Sequence, residues 1–196
     1  MKILKISKDL GKEMEDWYEK RTNKHIDLVK KYCEKIISHY DEFQELKDRL
    51  KIHDDSKFEE PEYTPYVFIT WKYKCKEDDI NFEDCNPPEN IDDLMYDATI
   101  HHITNNSHHP EYHAPNKNDH NALINKKDRD KPPSDIIDAT KMPDLDIAEM
   151  CADWCSVSEE KGNFPKSWAD KNIGVRWKFT ENQKELIYDI LDSIWE

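Results

Sequence analysis

The chain has 196 residues, of which 36% are hydrophobic and 37% charged, and it carries a formal net charge of -14. That length supports one polar domain with a real core. The acidic balance argues against strong nonspecific attraction to nucleic-acid phosphates, which requires basic surface. Only three glycines are present, and no G-x-G-x-x-G or G-x-x-x-x-G-K-[ST] string occurs, which argues against glycine-rich phosphate cradles.

A first, polar helix is expected from about Ser7 to Arg21, with Leu10, Met14 and Trp17 on its inward side. A second is expected from about Asn23 to Tyr40, where Ile26, Val29, Cys33, Ile36, Ile37 and Tyr40 recur at helical spacing and His25 borders the same face. Phe43, Leu46, Leu50, His53, Asp54 and Lys57 follow at intervals of three and four, which predicts one helix turning His53, Asp54 and Lys57 toward one neighbourhood. Glu59-Glu60-Pro61 predicts a break. Tyr63 to Tyr73 has strand-like composition, but the helical surroundings favour a helix.

Residues 75–90 read as an acidic connection closed by Pro87-Pro88. The next helix carries Leu94, Met95 and Ala98 into His101 and His102 and ends near Asn105, which leaves His108 and His109 at the mouth of a turn. Residues 114–134 read as a polar insertion with one short helical piece near 122–126. A helix should start after Pro143 and turn Ile147, Met150, Cys151 and Trp154 inward, with Asp153 flanking and Glu149 one turn earlier. Residues 162–175 read as irregular. Thr180-x-x-Gln183 predicts a capping box opening a last helix over about 181–195. The expected fold is all-α, a single helical bundle over 1–196 with long polar loops.

Five scattered cysteines without C-x-x-C, Cys33, Cys75, Cys85, Cys151 and Cys155, read as buried thiols of a reducing compartment rather than zinc ligands. The first twenty residues lack the apolar core of a secretory signal and no run approaches bilayer length. A soluble, cytoplasmic protein without membrane association is therefore expected. High Asp, Asn, Lys and Ile usage resembles that of an AT-rich genome such as a virus, for which the compartment would be the host cytoplasm.

His25, His53, Asp54, His101, His102, His108, His109 and Asp153 recur across these helices. Neutral imidazole and carboxylate are favoured ligands of divalent ions, and one ion needs several of them converging from different elements. The expected metal ligands are His25, His53, Asp54, His102, His108, His109 and Asp153, with His101 and Glu149 as further candidates. One or two ions are expected, and manganese, iron, cobalt, nickel, zinc and magnesium all accept such donors. Asp54 and Lys57 are the candidate catalytic groups, the alternative for Lys57 being a surface ion pair with Glu60. His113 and His120 read as loop residues, and Tyr66 and Trp154 as packing.

The order His25, His53-Asp54, a histidine from 101–109, then Asp153 resembles the HD-domain metal-dependent phosphohydrolase superfamily. Over about 23–160 the resemblance is closer to an uncharacterised HD-like family of bacteria and phages. Its pieces read here as His25, His53 to Phe58, Glu62 with Tyr66 nearby, His101 to His109 through Asn106, and Glu149 to Trp154. The resemblance implies a helical bundle holding divalent ions and hydrolysis of a nucleotide or related small phosphate ester, with Lys57 matching a lysine that assists phosphate chemistry. It also leaves open a noncatalytic metal- or nucleotide-binding module. His108-His109-Pro110-Glu111 lacks the glycine-rich continuation of the cyclic-dinucleotide phosphodiesterases, so that substrate is not implied.

Overall fold

The computed structural model describes residues 8–126 and 128–195, with side chains from residue 11 onward, so Ser7 and the Leu10 side chain lie outside it. Among the described residues the chain is mostly helical: α1 (Lys8–His39), α2 (Leu46–Arg49), α3 (Tyr63–Glu77), α4 (Ile91–Asn105), α5 (His120–Leu123), α6 (Asp144–Lys161), α7 (Pro165–Asn172) and α8 (Glu181–Ile194). Two short strands, β1 (Ile137–Asp138) and β2 (Trp177–Lys178), pair in parallel with Ile137 opposite Trp177. No helix among the described residues is long and apolar enough to cross a membrane.

Chain contacts group these elements into two compact units. One comprises residues up to Lys24 with Asp54–His102; the other comprises His25–His53 with the residues from Ile103 on.

In the first unit, α3 and α4 supply most of the core. Pro65 to Trp71 are all buried, as expected of a helix apolar around its circumference. The strand-like propensity of this run is overridden because burial rewards its aromatic bulk in either conformation. From α4, Ile91, Met95 and Ala98 join the same cluster, and His102 continues their buried stripe one turn later. Pro87-Pro88 precedes α4 as expected, but a 3-10 turn over Phe82–Cys85 orders the acidic connection and buries Phe82 and Cys85. From α1, Met14 and Tyr18 face this core; Trp17, expected inward, is 37% exposed.

The second unit packs α6 against α8. Ile147, Cys151 and Cys155 of α6 and Ile187, Ile190, Leu191 and Ile194 of α8 are fully buried. Pro143 sits at the N-cap of α6, as expected. Gly162 ends that helix at φ +65°, a left-handed position where glycine has no Cβ penalty. Residues 162–175, expected to be irregular, contain α7, opened by Pro165 in the first turn. Trp177 donates its indole N–H to the buried Glu111 carboxylate at 2.8 Å. Burial pushes the pKa of Glu111 up, and the Trp177 bond only partly offsets that shift.

The capping box of α8 is present in both directions, Gln183 N–H to Thr180 Oγ1 and Thr180 N–H to Gln183 Oε1. The Gln183 amide also donates to the Met142 carbonyl at 2.8 Å and the Ala139 carbonyl at 3.4 Å. Gln183→Ala removes the cap and leaves buried carbonyls without these donors. It should cost about 2 kcal/mol in a urea titration, and a loss below about 0.5 kcal/mol would make the side chain incidental.

Two further expectations are corrected. The break between the first and second helices is absent: nothing at Arg21-Thr22-Asn23 forbids helix, and α1 runs through. The single helix over 43–57 is absent too, replaced by a 3-10 turn at Asp41–Phe43, the short α2, and another 3-10 turn at Asp55–Phe58. Intervals of three and four suit a 3-10 turn of three residues as well as an α-helix of 3.6, so spacing alone did not separate them. The five thiols are free and buried, as expected. Burial pushes the pKa of Cys155 up to about 12 and that of Cys151 well above the usual thiol range.

Candidate functional site

In the first unit the candidate residues gather around a turn. Asp54 has φ +62° and precedes the 3-10 turn, whose Lys57 N–H donates to the Asp54 carbonyl at 2.9 Å. The reversal folds the Lys57 side chain back, so that Nζ lies 2.5 Å from Asp54 Oδ2. Lys57 thus pairs with Asp54 rather than Glu60. Its ammonium also lies 5.7 Å from the centroid of the Tyr66 ring, and Tyr18 anchors the turn by donating to the Lys57 carbonyl at 2.7 Å.

Asp54 and Glu62 are both fully buried. Glu62 accepts from His101 Nδ1 at 2.7 Å, His102 Nδ1 at 2.9 Å and Ser56 Oγ at 3.0 Å. Burial works to raise its pKa, but the His102 bond and charge, then His101 and Ser56, outweigh burial and hold it below the usual carboxylate range. Glu62 is therefore ionised and can only accept, so both imidazoles carry a proton on Nδ1. Burial and the nearby Lys57 charge hold the pKa of His102 below the ordinary value. Its Nε2 consequently bears a lone pair, 3.4 Å from Asp54 Oδ1. A neutral imidazole nitrogen facing a carboxylate oxygen is the chemistry of a cation site, with Glu62 fixing the tautomer from behind.

The second unit repeats that logic on α6, whose Glu149 and Asp153 share one face at i,i+4 spacing. Ser156 spends its only hydroxyl proton on the Asp153 carbonyl at 2.7 Å, so it accepts from His25 Nδ1 at 3.0 Å. His25 Nε2 in turn lies 3.0 Å from Asp153 Oδ1, a contact that a shared proton or a cation would make attractive. His53, buried, meets Glu149 Oε1 through Nδ1 at 2.8 Å, and His108 Nδ1 lies 3.5 Å from the same oxygen. His53, His108 and Glu149 each offer a ligand atom, all within 4.8 Å of one another. The rings of His25 and His53, His53 and His108, and His108 and His109 follow at centroid distances of 5.9, 4.4 and 4.3 Å.

The sequence-derived candidates thus fall into two sets. His25, His53, His108, His109 and Asp153 gather with Glu149 in the second unit, and Asp54, Lys57, His101 and His102 gather in the first. His113 donates from Nε2 to the Ser107 carbonyl at 2.9 Å, and His120 is exposed on α5. Sequence reasoning gave Glu62 no chemical role and missed Ser156, which bonds the candidate ligand His25, and Arg49, whose Nε lies 3.1 Å from Glu149 Oε2. Glu62 lies about forty residues from the histidines it orients, beyond any spacing rule. Ser156 is the nearest to a readable signal, one turn from Asp153 on α6.

A model of a family of unknown function (DUF5662) matches residues 14–194. No curated protein and no solved structure matches the chain.

Proposed function

Since the chain belongs to this family of unknown function, which assigns it no reaction, its own donors carry the reading, and we propose that it is a metal-dependent phosphohydrolase acting on a nucleotide or related small phosphate ester. The observation that supports this most is the repeated pairing of an imidazole nitrogen with a carboxylate oxygen, His102 with Asp54 and His25 with Asp153. In each pair the far ring nitrogen is held by a hydrogen bond. This is the arrangement in which outer partners orient metal ligands. The donor order also resembles that of the HD-domain superfamily, and the proposal extends to that membership.

In this reading His25, His53, His108, His109 and Asp153 would hold a divalent ion in the second unit, and Asp54 and His102 would act as donors in the first. When bound, such an ion supplies positive charge for phosphate oxygens and for the attacking water. In the first unit Asp54 would orient a water and accept its proton. Lys57 would place its ammonium on a phosphate oxygen, exchanging its present carboxylate partner for the substrate. Local cationic charge of this kind admits a small anion despite the acidic surface.

Elemental analysis of the purified protein, with a phosphate-release screen over nucleotides and simple esters, tests the reading. Bound transition metal and metal-dependent turnover are expected. A His102→Ala, His108→Ala, His109→Ala triple variant should lose metal, and unchanged stoichiometry would remove these histidines from the ligand set. Tight metal uptake with no turnover across the panel would leave a noncatalytic binding module.

A further inference from the structure

Arg49, at the end of α2, belongs to none of the donor sets, yet it touches two segments that carry the second unit's set. Its Nε lies 3.1 Å from Glu149 Oε2, and its Nη2 pairs with Asp146 Oδ1. Nη1 and Nη2 donate to Ser107 Oγ at 3.1 and 2.9 Å, and that hydroxyl donates onward to Asp146 Oδ1 at 3.0 Å. Asp146 and Glu149 sit three residues apart on α6, with side chains only 9% and 5% exposed. Two carboxylates so placed repel strongly out of water unless a cation lies between them.

The geometry has a directional result. With Oε2 of Glu149 in ion-pair contact with Arg49, Oε1 is the oxygen presented to His53 Nδ1 at 2.8 Å and to His108 Nδ1 at 3.5 Å. Arg49 also precedes His53 by four residues, and Ser107 directly precedes His108. One planar cation therefore ties together the three segments bearing His53, Glu149 and His108. A lysine lacks the fork needed to hold both carboxylates and the hydroxyl at once.

We infer that Arg49 is a positioning residue: by clamping Glu149, Asp146 and Ser107 it sets the tautomer of His53 and the placement of His108 for cation binding. This rests on the metal reading above. In this role the guanidinium would not touch the ion or the substrate; its effect would pass through Glu149.

The test compares wild type with Arg49→Met, Arg49→Lys and Ser107→Ala, using cobalt(II) as the metal and imidazole nitrogen NMR on metal-free protein, with circular dichroism as the check of folding. In wild type, His53 should appear as the Nδ1–H tautomer. Arg49→Met should give mixed tautomers, a loss of about 10–100-fold in cobalt affinity and a shifted visible band for whatever cobalt binds at saturation. A purely structural arginine would leave that saturated band in place. Arg49→Lys should fail to rescue, and Ser107→Ala should move both readouts in the same direction by less. Wild-type tautomer, affinity and band in Arg49→Met, or full recovery in Arg49→Lys, overturns the inference. If Arg49→Met does not fold, Ser107→Ala decides, and a wild-type result there overturns the inference as well. Wild type that takes up no cobalt overturns the metal reading, while the metal-free tautomer comparison still decides the role of Arg49.

Discussion

A His53→Ala variant should lose more than about 100-fold in cobalt or manganese affinity while keeping its helical circular dichroism. Outer partners of metal ligands already cost about 10–100-fold when removed, and a ligand itself costs more. His53 is the residue for which the geometry makes the strongest case. It is buried, its Nδ1 is committed to Glu149, and its ring lies 5.9 Å from that of His25 and 4.4 Å from that of His108. His120→Ala, exposed on α5, supplies the matched control and should bind metal as wild type does. Equal affinity in the two variants would remove His53 from the metal site and with it the central member of the second unit's set.

Lys57→Met and Asp54→Asn should separate chemistry from metal retention. An ammonium cannot coordinate a cation, so Lys57→Met should keep its metal while kcat/KM on a phosphate ester falls about 10²–10³-fold, the usual loss when one charge-stabilising donor is removed. Asp54→Asn should weaken both, since its carboxylate faces His102 Nε2 on one oxygen and Lys57 on the other. Unchanged kcat/KM in Lys57→Met would assign Lys57 to holding the 55–58 turn and take it out of the reaction.

Much of the helical architecture was legible where one local rule sufficed. Thr180 and Gln183 announced α8 because the capping box is a contract between residues three apart, and Pro143 marked the start of α6 by fixing its own φ. The region from Phe43 to Lys57 was not legible, because a chain of short turns satisfies the same spacing as a helix. The strand pair was not legible either: two residues a side give no alternation to detect, and their pairing spans about forty residues. The same divide runs through the site. The ligand residue types stand in the sequence, and their order suggested a metal. The groups that decide which nitrogen carries a proton, Glu62, Ser156 and Arg49, act through tertiary contacts that no periodicity encodes.

The left-handed backbone at Asp54 also restricts what can follow His53 in any variant of this chain. Most residues with a Cβ pay about 1–2 kcal/mol at such an angle, whereas glycine pays nothing and asparagine and aspartate adopt it most readily among the rest. Glycine and asparagine have no carboxylate, and glutamate has the acid without the same tolerance for the angle. Aspartate alone meets both demands. The backbone reversal that returns Lys57 to its neighbour therefore acts as a steric sieve, giving the His53-Asp54 pair a conformational reason to be His-Asp and not His-Glu, independent of what the carboxylate binds.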